Sequence, residues 1–130
     1  LSLVDPDNRR PVDYDVRRSG LADLATAPPK LRLTAIALRL RREHPEWFLA
    51  DATYEPLDAG PRAVAFGRSG VVVVVAPIRA LLTERSGWGD DATSLPLGDW
   101  RDLLGGRAWS GTVRLADLLA APGGALLVRA

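Results

Sequence analysis

The 130-residue sequence predicts an α+β chain, with helices in its first fifty residues and a small antiparallel β-sandwich in the remainder. Three observations predict it. Residues 30–43 repeat apolar side chains at helical spacing. Five consecutive valines follow a Ser-Gly turn signal. Short apolar runs then recur at the spacing of sandwich strands.

The elements follow in order. Leu1, Leu3 and Val4 run into Asp5-Pro6-Asp7-Asn8-Arg9-Arg10-Pro11. Asp, Asn and Pro supply side-chain acceptors and fixed backbone angles, so this stretch reads as an ordered turn. Pro11 suits the first turn of a helix carrying Val12 and Val16; Gly20 weakens that helix, and Leu21, Leu24 and Ala25 resume it. Ala27-Pro28-Pro29 breaks the pattern. In residues 30–43, Leu33, Ile36, Ala37 and Leu40 form one stripe, widened by Leu31, Ala35 and Leu38. Arg32, Arg39, Arg42 and Glu43 take the remaining arc. His44-Pro45 ends the helix, because the residue before proline avoids helical angles. So wide an apolar face requires a large partner surface.

Ala63–Arg68 and Val71–Ala76 then read as strands of a hairpin turning at Ser69-Gly70. The valines suit a central strand buried on both faces. Residues 78–92 read as a longer loop. Further strands are expected near Thr93–Leu97, Trp100–Leu104, Gly111–Leu115 and Ala125–Arg129.

Composition removes several functions. The chain is 47% hydrophobic and 25% charged, which excludes disorder throughout. A net charge of +1 argues against a nucleic-acid partner. Without cysteine there is no thiol nucleophile, disulfide or cysteine-ligated metal, and the single His44 excludes a polyhistidine metal site within the chain. No cofactor is expected. The longest apolar run, Gly70–Pro77, is far too short for a membrane span, and no secretory signal opens the chain, so a cytoplasmic location is expected. Sixteen of the seventeen basic residues are arginine, a bias that points to a GC-rich coding sequence. No methionine occurs, so Leu1 is expected to follow from a cut in something longer.

Particular motifs resemble a known family. Ser2–Tyr14, "SLVDPDNRRPVDY", is similar to the segment after the last barrel strand in maltooligosyl trehalose synthases, members of the α-amylase superfamily, glycoside hydrolase family thirteen. "KLRLTAIALRLRREHPEWF" resembles the family's final barrel helix and the turn after it. "YEPL", "AVAFGR", "VVVVVAP", the Trp88–Gly105 stretch and "LADLLAAPGGALLV" follow in the family's order. The resemblance implies two parts. Residues 1–50 would end a (β/α)8 catalytic barrel, and residues 51–130 would form a C-terminal β-sandwich. It implies a parent that isomerises the reducing-end α-1,4 linkage of a maltooligosaccharide to an α,α-1,1 linkage. The family's catalytic carboxylates lie upstream and match no residue here, so the chain alone should be inactive. The alternatives are a piece of another α-amylase superfamily glycosidase, such as an α-glucosidase, or a stand-alone, non-catalytic β-sandwich binding module. Its partner would be the N-terminal remainder, as a separate chain or an upstream segment.

The resemblance also places Asp5–Pro11 at the active-site end of the barrel. Asp5, Asn8, Arg9 and Arg10 are the candidate substrate-binding or loop-bracing residues: the arginines offer planar donor forks, the Asp and Asn side chains acceptors for sugar hydroxyls. The alternative is a self-bonded turn in which Asp5 or Asp13 pairs Arg9 or Arg10. A calcium loop at Asp5-x-Asp7 fails, because Arg9 stands where the EF-hand pattern needs an acceptor. Trp47, Trp88, Trp100 and Trp109 could make a sugar platform, though tryptophan more often covers a core. His44 reads as a solvated cap of the helix end.

Overall fold

The structure, a computed structural model, describes residues 11–78, 87–120 and 123–130. Helix α1 spans Tyr14–Ala22 and α2 spans Pro29–Glu43. A 3₁₀ turn, Pro45–Trp47, leads into the strands. These are β1 (Tyr54–Leu57), β2 (Ala63–Arg68), β3 (Val72–Pro77), β4 (Ala92–Ser94), β5 (Trp100–Asp102), β6 (Ala108–Trp109), β7 (Thr112–Arg114) and β8 (Ala125–Arg129). A short helix, α3 (Leu115–Leu118), follows β7.

Helix α1 starts later than its apolar spacing suggests. Asp13 is the N-cap, its Oδ1 accepting the N–H groups of Asp15 and Val16 at 3.0 Å each, so Pro11 and Val12 precede the helix. The helix runs through Gly20, where an added Cβ would come within 2.8 Å of Leu31 on α2. It ends at Ala22 rather than resuming, because Asp23 organises a turn: its side chain accepts from the Ala25 N–H and the Thr26 hydroxyl. Asp13→Ala should loosen α1 by about 1 kcal/mol. Amide exchange at Asp15 and Val16 should speed up while exchange in β3 stays unchanged.

Six strands form one antiparallel sheet in the order β1-β2-β3-β8-β5-β6, and β4 pairs with β7 in a second. The valine strand is third of six, as its composition predicts. At the β2–β3 turn Ser69 and Gly70 both have positive φ, 51° and 65°, and the Val71 N–H bonds the Arg68 carbonyl at 3.1 Å. Positive φ at both central residues gives the turn whose twist matches the strands, and the pairing of Arg68 with Val72 leaves Val71 as an extra residue after it.

Alternation along the strands separates two cores. Ala63, Ala65, Val73, Val75, Ala125 and Leu127 face one way, with Trp100. Leu95 and Val113, from the region of the two-stranded sheet, cover them with Leu115, Leu118 and Leu119. On the opposite face Val72, Leu126 and Leu104 pack with Leu40, and Leu33, Ile36, Ala37, Trp47 and Phe48 close around them. The sandwich is therefore lopsided: a two-stranded sheet and α3 cover one face, and α2 the other. The large partner surface that the Leu33–Ile36–Ala37–Leu40 stripe requires is this sheet. The helix supplies the cover that a doubly buried valine strand requires. Leu38, in contrast, is 60% exposed, and Val12, Tyr14, Val16 and Leu21, in and before α1, are exposed too. Arg32 leaves the solvated arc expected for it and donates to the Leu104 carbonyl at 2.7 Å.

The strands expected near residues 93, 100, 111 and 125 are present, the first three shorter than drawn. β1, β6 and α3 were not expected as elements. Each is four residues or shorter, too brief to show a period.

Candidate functional site

Asp5, Asn8, Arg9 and Arg10 lie outside the described residues, and so does most of the expected loop 78–92. Asp13, the alternative pairing partner for Arg9 or Arg10, spends Oδ1 on capping α1.

The tryptophans do not form one platform. Trp100 is fully buried, its Nε1–H donating to the Pro96 carbonyl at 2.8 Å. Trp109 is its cross-strand partner. The Arg129 and Arg107 guanidinium groups lie over these two rings, 5.3 and 4.2 Å from the centroids. Trp88 packs on the same core, whereas Trp47 belongs to the α2 face. Trp47 stacks on His44 with centroids 3.8 Å apart and planes 3° from parallel. His44 is the C-cap of α2, as expected, and its Nδ1 lies 3.2 Å from Glu46 Oε1.

Two acidic groups are withdrawn from solvent. Asp102 is 2% exposed. Its carboxylate accepts the N–H groups of Leu104 (2.9 Å), Gly105 (2.8 Å) and Leu126 (3.3 Å). It ties β5, the turn after it and β8 together, which is a structural role. Asp91 faces Arg62, Oδ2 to Nε at 3.6 Å, and Arg62 also donates to the Gly87 carbonyl at 2.9 Å. That pair holds the Gly87-Trp88-Gly89 turn to the loop before β2. Among the described residues no group of three or more His, Asp or Glu side chains could hold a metal ion. No helix among them is long and apolar enough to cross a membrane.

The described residues do form one concave site of note, a cavity of about 400 Å³ between α2 and the sheet. Its apolar walls include Leu40, Phe48, Phe66 and Val74, and Tyr54 flanks it. Tyr54 and Phe66 lie with ring centroids 5.2 Å apart. The charged groups in the lining are Arg41 from α2 and Arg68 from β2. The site arises because α2 lies over β3 and β8 and leaves the same face of β1 and β2 partly open. Sequence reasoning missed it. Its one local signal is the alternation Val64, Phe66, Arg68, which puts an aromatic and an arginine on the face opposite Ala63, Ala65 and Gly67.

An α+β fold with antiparallel sheets, and a cavity whose charged lining among the described residues is two arginines, define the module. No family model matches the chain. Two curated relatives from strains of Mycobacterium tuberculosis, both named maltooligosyl trehalose synthase, are 45% identical over 98% of this chain. The aligned part is 17% of their length. Solved structures of maltooligosyltrehalose synthase from Arthrobacter ramosus match 99% of this chain and 18% of theirs. The unmodified enzyme gives 36% identity and a TM-score of 0.77, and a point mutant 35% and 0.79. The chain is homologous to a C-terminal portion of maltooligosyl trehalose synthases, in agreement with its motifs, and spans about a sixth of their length.

Proposed function

We propose that the chain serves as the C-terminal part of a maltooligosyl trehalose synthase, an intramolecular transferase of the α-amylase superfamily, glycoside hydrolase family thirteen. The observation that carries this is the 45% identity along 98% of the chain. The parent converts the reducing-end α-1,4 linkage of a maltooligosaccharide into an α,α-1,1 linkage in the cytoplasm. Retention requires a nucleophilic carboxylate and an acid/base carboxylate about 5–5.5 Å apart. Both belong to the N-terminal remainder, the partner of this chain. The released glucose, not water, must then attack the glycosyl-enzyme through its 1-hydroxyl. Effective molarities of roughly 10⁵–10⁸ M for well-oriented groups allow a held sugar to outcompete water.

Residues 1–50 would complete the (β/α)8 barrel and residues 51–130 would form the C-terminal domain. The exposed Val12, Val16, Leu21 and Leu38 support this division, being apolar surface suited to the remainder of the barrel. In this reading α2 serves both parts, one side on the sheet and the other toward the barrel. The Asp5–Pro11 loop shapes the pocket that holds glucose, through Asp5, Asn8, Arg9 and Arg10.

The isolated chain should give no trehalose-capped product from maltooligosaccharides; product formed by it alone would refute the reading. In the full-length enzyme, Arg9→Ala should raise the ratio of hydrolysis to 1,1-transfer several-fold while the melting temperature barely moves. A lower melting temperature with an unchanged product ratio would make the loop a structural turn. Wild-type stability, rate and ratio would remove it from the mechanism.

A further inference from the structure

We propose that the cavity between α2 and β1–β2 is a binding site for a small organic anion with an apolar body. Three features of the site support this. Its volume, about 400 Å³, falls within the usual range of ligand sites, about 300–1,000 Å³. Its walls are hydrocarbon and aromatic, from Leu40, Phe48, Phe66 and Val74. Among the described residues its charged lining is two guanidinium groups and no carboxylate.

Each feature narrows the ligand. Apolar walls offer a bare inorganic anion nothing in return for its lost hydration. A neutral sugar would set hydroxyls against Leu40 and Val74 without acceptors, leaving polar groups unpaired. An apolar body with one carboxylate or sulfonate satisfies both halves of the site. The body lies against Phe48, Phe66 and Val74, and the anionic head meets Arg41 and Arg68. Arg68 is already oriented by donating to the Phe48 carbonyl at 3.4 Å. That contact uses one nitrogen of a five-donor fork and leaves the others for an anion. Arg41 makes no hydrogen bond or ion pair among the described residues and is on the exposed side of α2. A bound anion would join α2 to the β1–β2 edge, which its stripe does not cover, and so stiffen the junction between the helical and sheet parts.

The test uses naphthalenesulfonate, with naphthalenemethanol as its neutral counterpart and maltopentaose as the sugar control, added to the isotopically labelled 130-residue chain. The sulfonate should shift amide resonances of Arg41, Phe48, Phe66 and Arg68. It should bind about tenfold or more tighter than the alcohol, the increment of a charge-assisted hydrogen bond. Arg41→Gln, a change at a side chain that bonds nothing else among the described residues, should remove most of that preference and leave affinity for the alcohol unchanged. Equal affinity for sulfonate and alcohol would overturn the proposal, as would shifts centred elsewhere. So would perturbation of these residues by maltopentaose and not by the sulfonate. None of these outcomes bears on the enzyme to which the chain belongs.

Discussion

Asp102→Ala should cost the chain about 3 kcal/mol or more, read as a fall in the urea midpoint with an unchanged slope. The carboxylate is 2% exposed and accepts three backbone N–H groups, from Leu104, Gly105 and Leu126. Truncation leaves those donors buried without partners, at about 1–3 kcal/mol each, softened where water enters the space vacated. Against a total of about 5–15 kcal/mol for a typical domain, such a loss brings the folded state close to its limit. Asp102→Asn should fall between. Its amide oxygen can still accept from Leu104 and Leu126, but its NH₂ group would meet the Gly105 N–H. Gly105 offers a second probe of the same turn. An added Cβ there would stand 2.5 Å from Asp102 Oδ2, so Gly105→Ala must push the carboxylate off its donors. An Asp102→Ala chain with a wild-type midpoint would show that water or the turn itself can replace the carboxylate.

Val73→Asp should abolish cooperative folding. Val73 is wholly buried and pairs with Gly67 on one side and Leu127 on the other, so its side chain has no route to solvent. A carboxylate there has no partner in a core of Ala65, Trp100, Val113 and Leu115. Two controls isolate the cause. Val73→Ala should cost about 2 kcal/mol and keep a sharp transition, since it removes volume without adding charge. Val64→Asp on the neighbouring strand should stay folded, because Val64 is 49% exposed. The measurement is near-ultraviolet circular dichroism, which the buried Trp100 makes sensitive to packing. Native spectra for Val73→Asp would mean that the strand lies at the surface.

The motifs quoted from the sequence were enough to identify the family, because their order along the chain is far more specific than any one of them. The stripe on α2, the valine strand and the Ser69-Gly70 hairpin were legible for a simpler reason: each is a local pattern whose period or dihedral preference appears within a dozen residues. Pro45 likewise marked where α2 must stop. Asp13 and Asp23 were harder to read, since a side chain that caps or turns the backbone shifts the helix boundaries away from the apolar spacing.

Other features could not be read locally. That α2 covers the valine sheet depends on which of two apolar surfaces meet, and the two lie some thirty residues apart. Asp102 carries no sign of burial in Trp100-Arg101-Asp102, because its partners include Leu126 from another strand. The cavity of Arg41, Phe48, Phe66 and Arg68 draws on a helix, a turn and a strand, and exists only where α2 leaves part of the sheet uncovered. The sequence by itself determined the apolar stripe of α2, the buried valine strand and the family the chain resembles, since apolar periodicity and motif order are properties of the chain. Which buried surface meets which, and where a gap remains, was decided only by the tertiary structure, because packing is a relation between distant segments and no single segment encodes it.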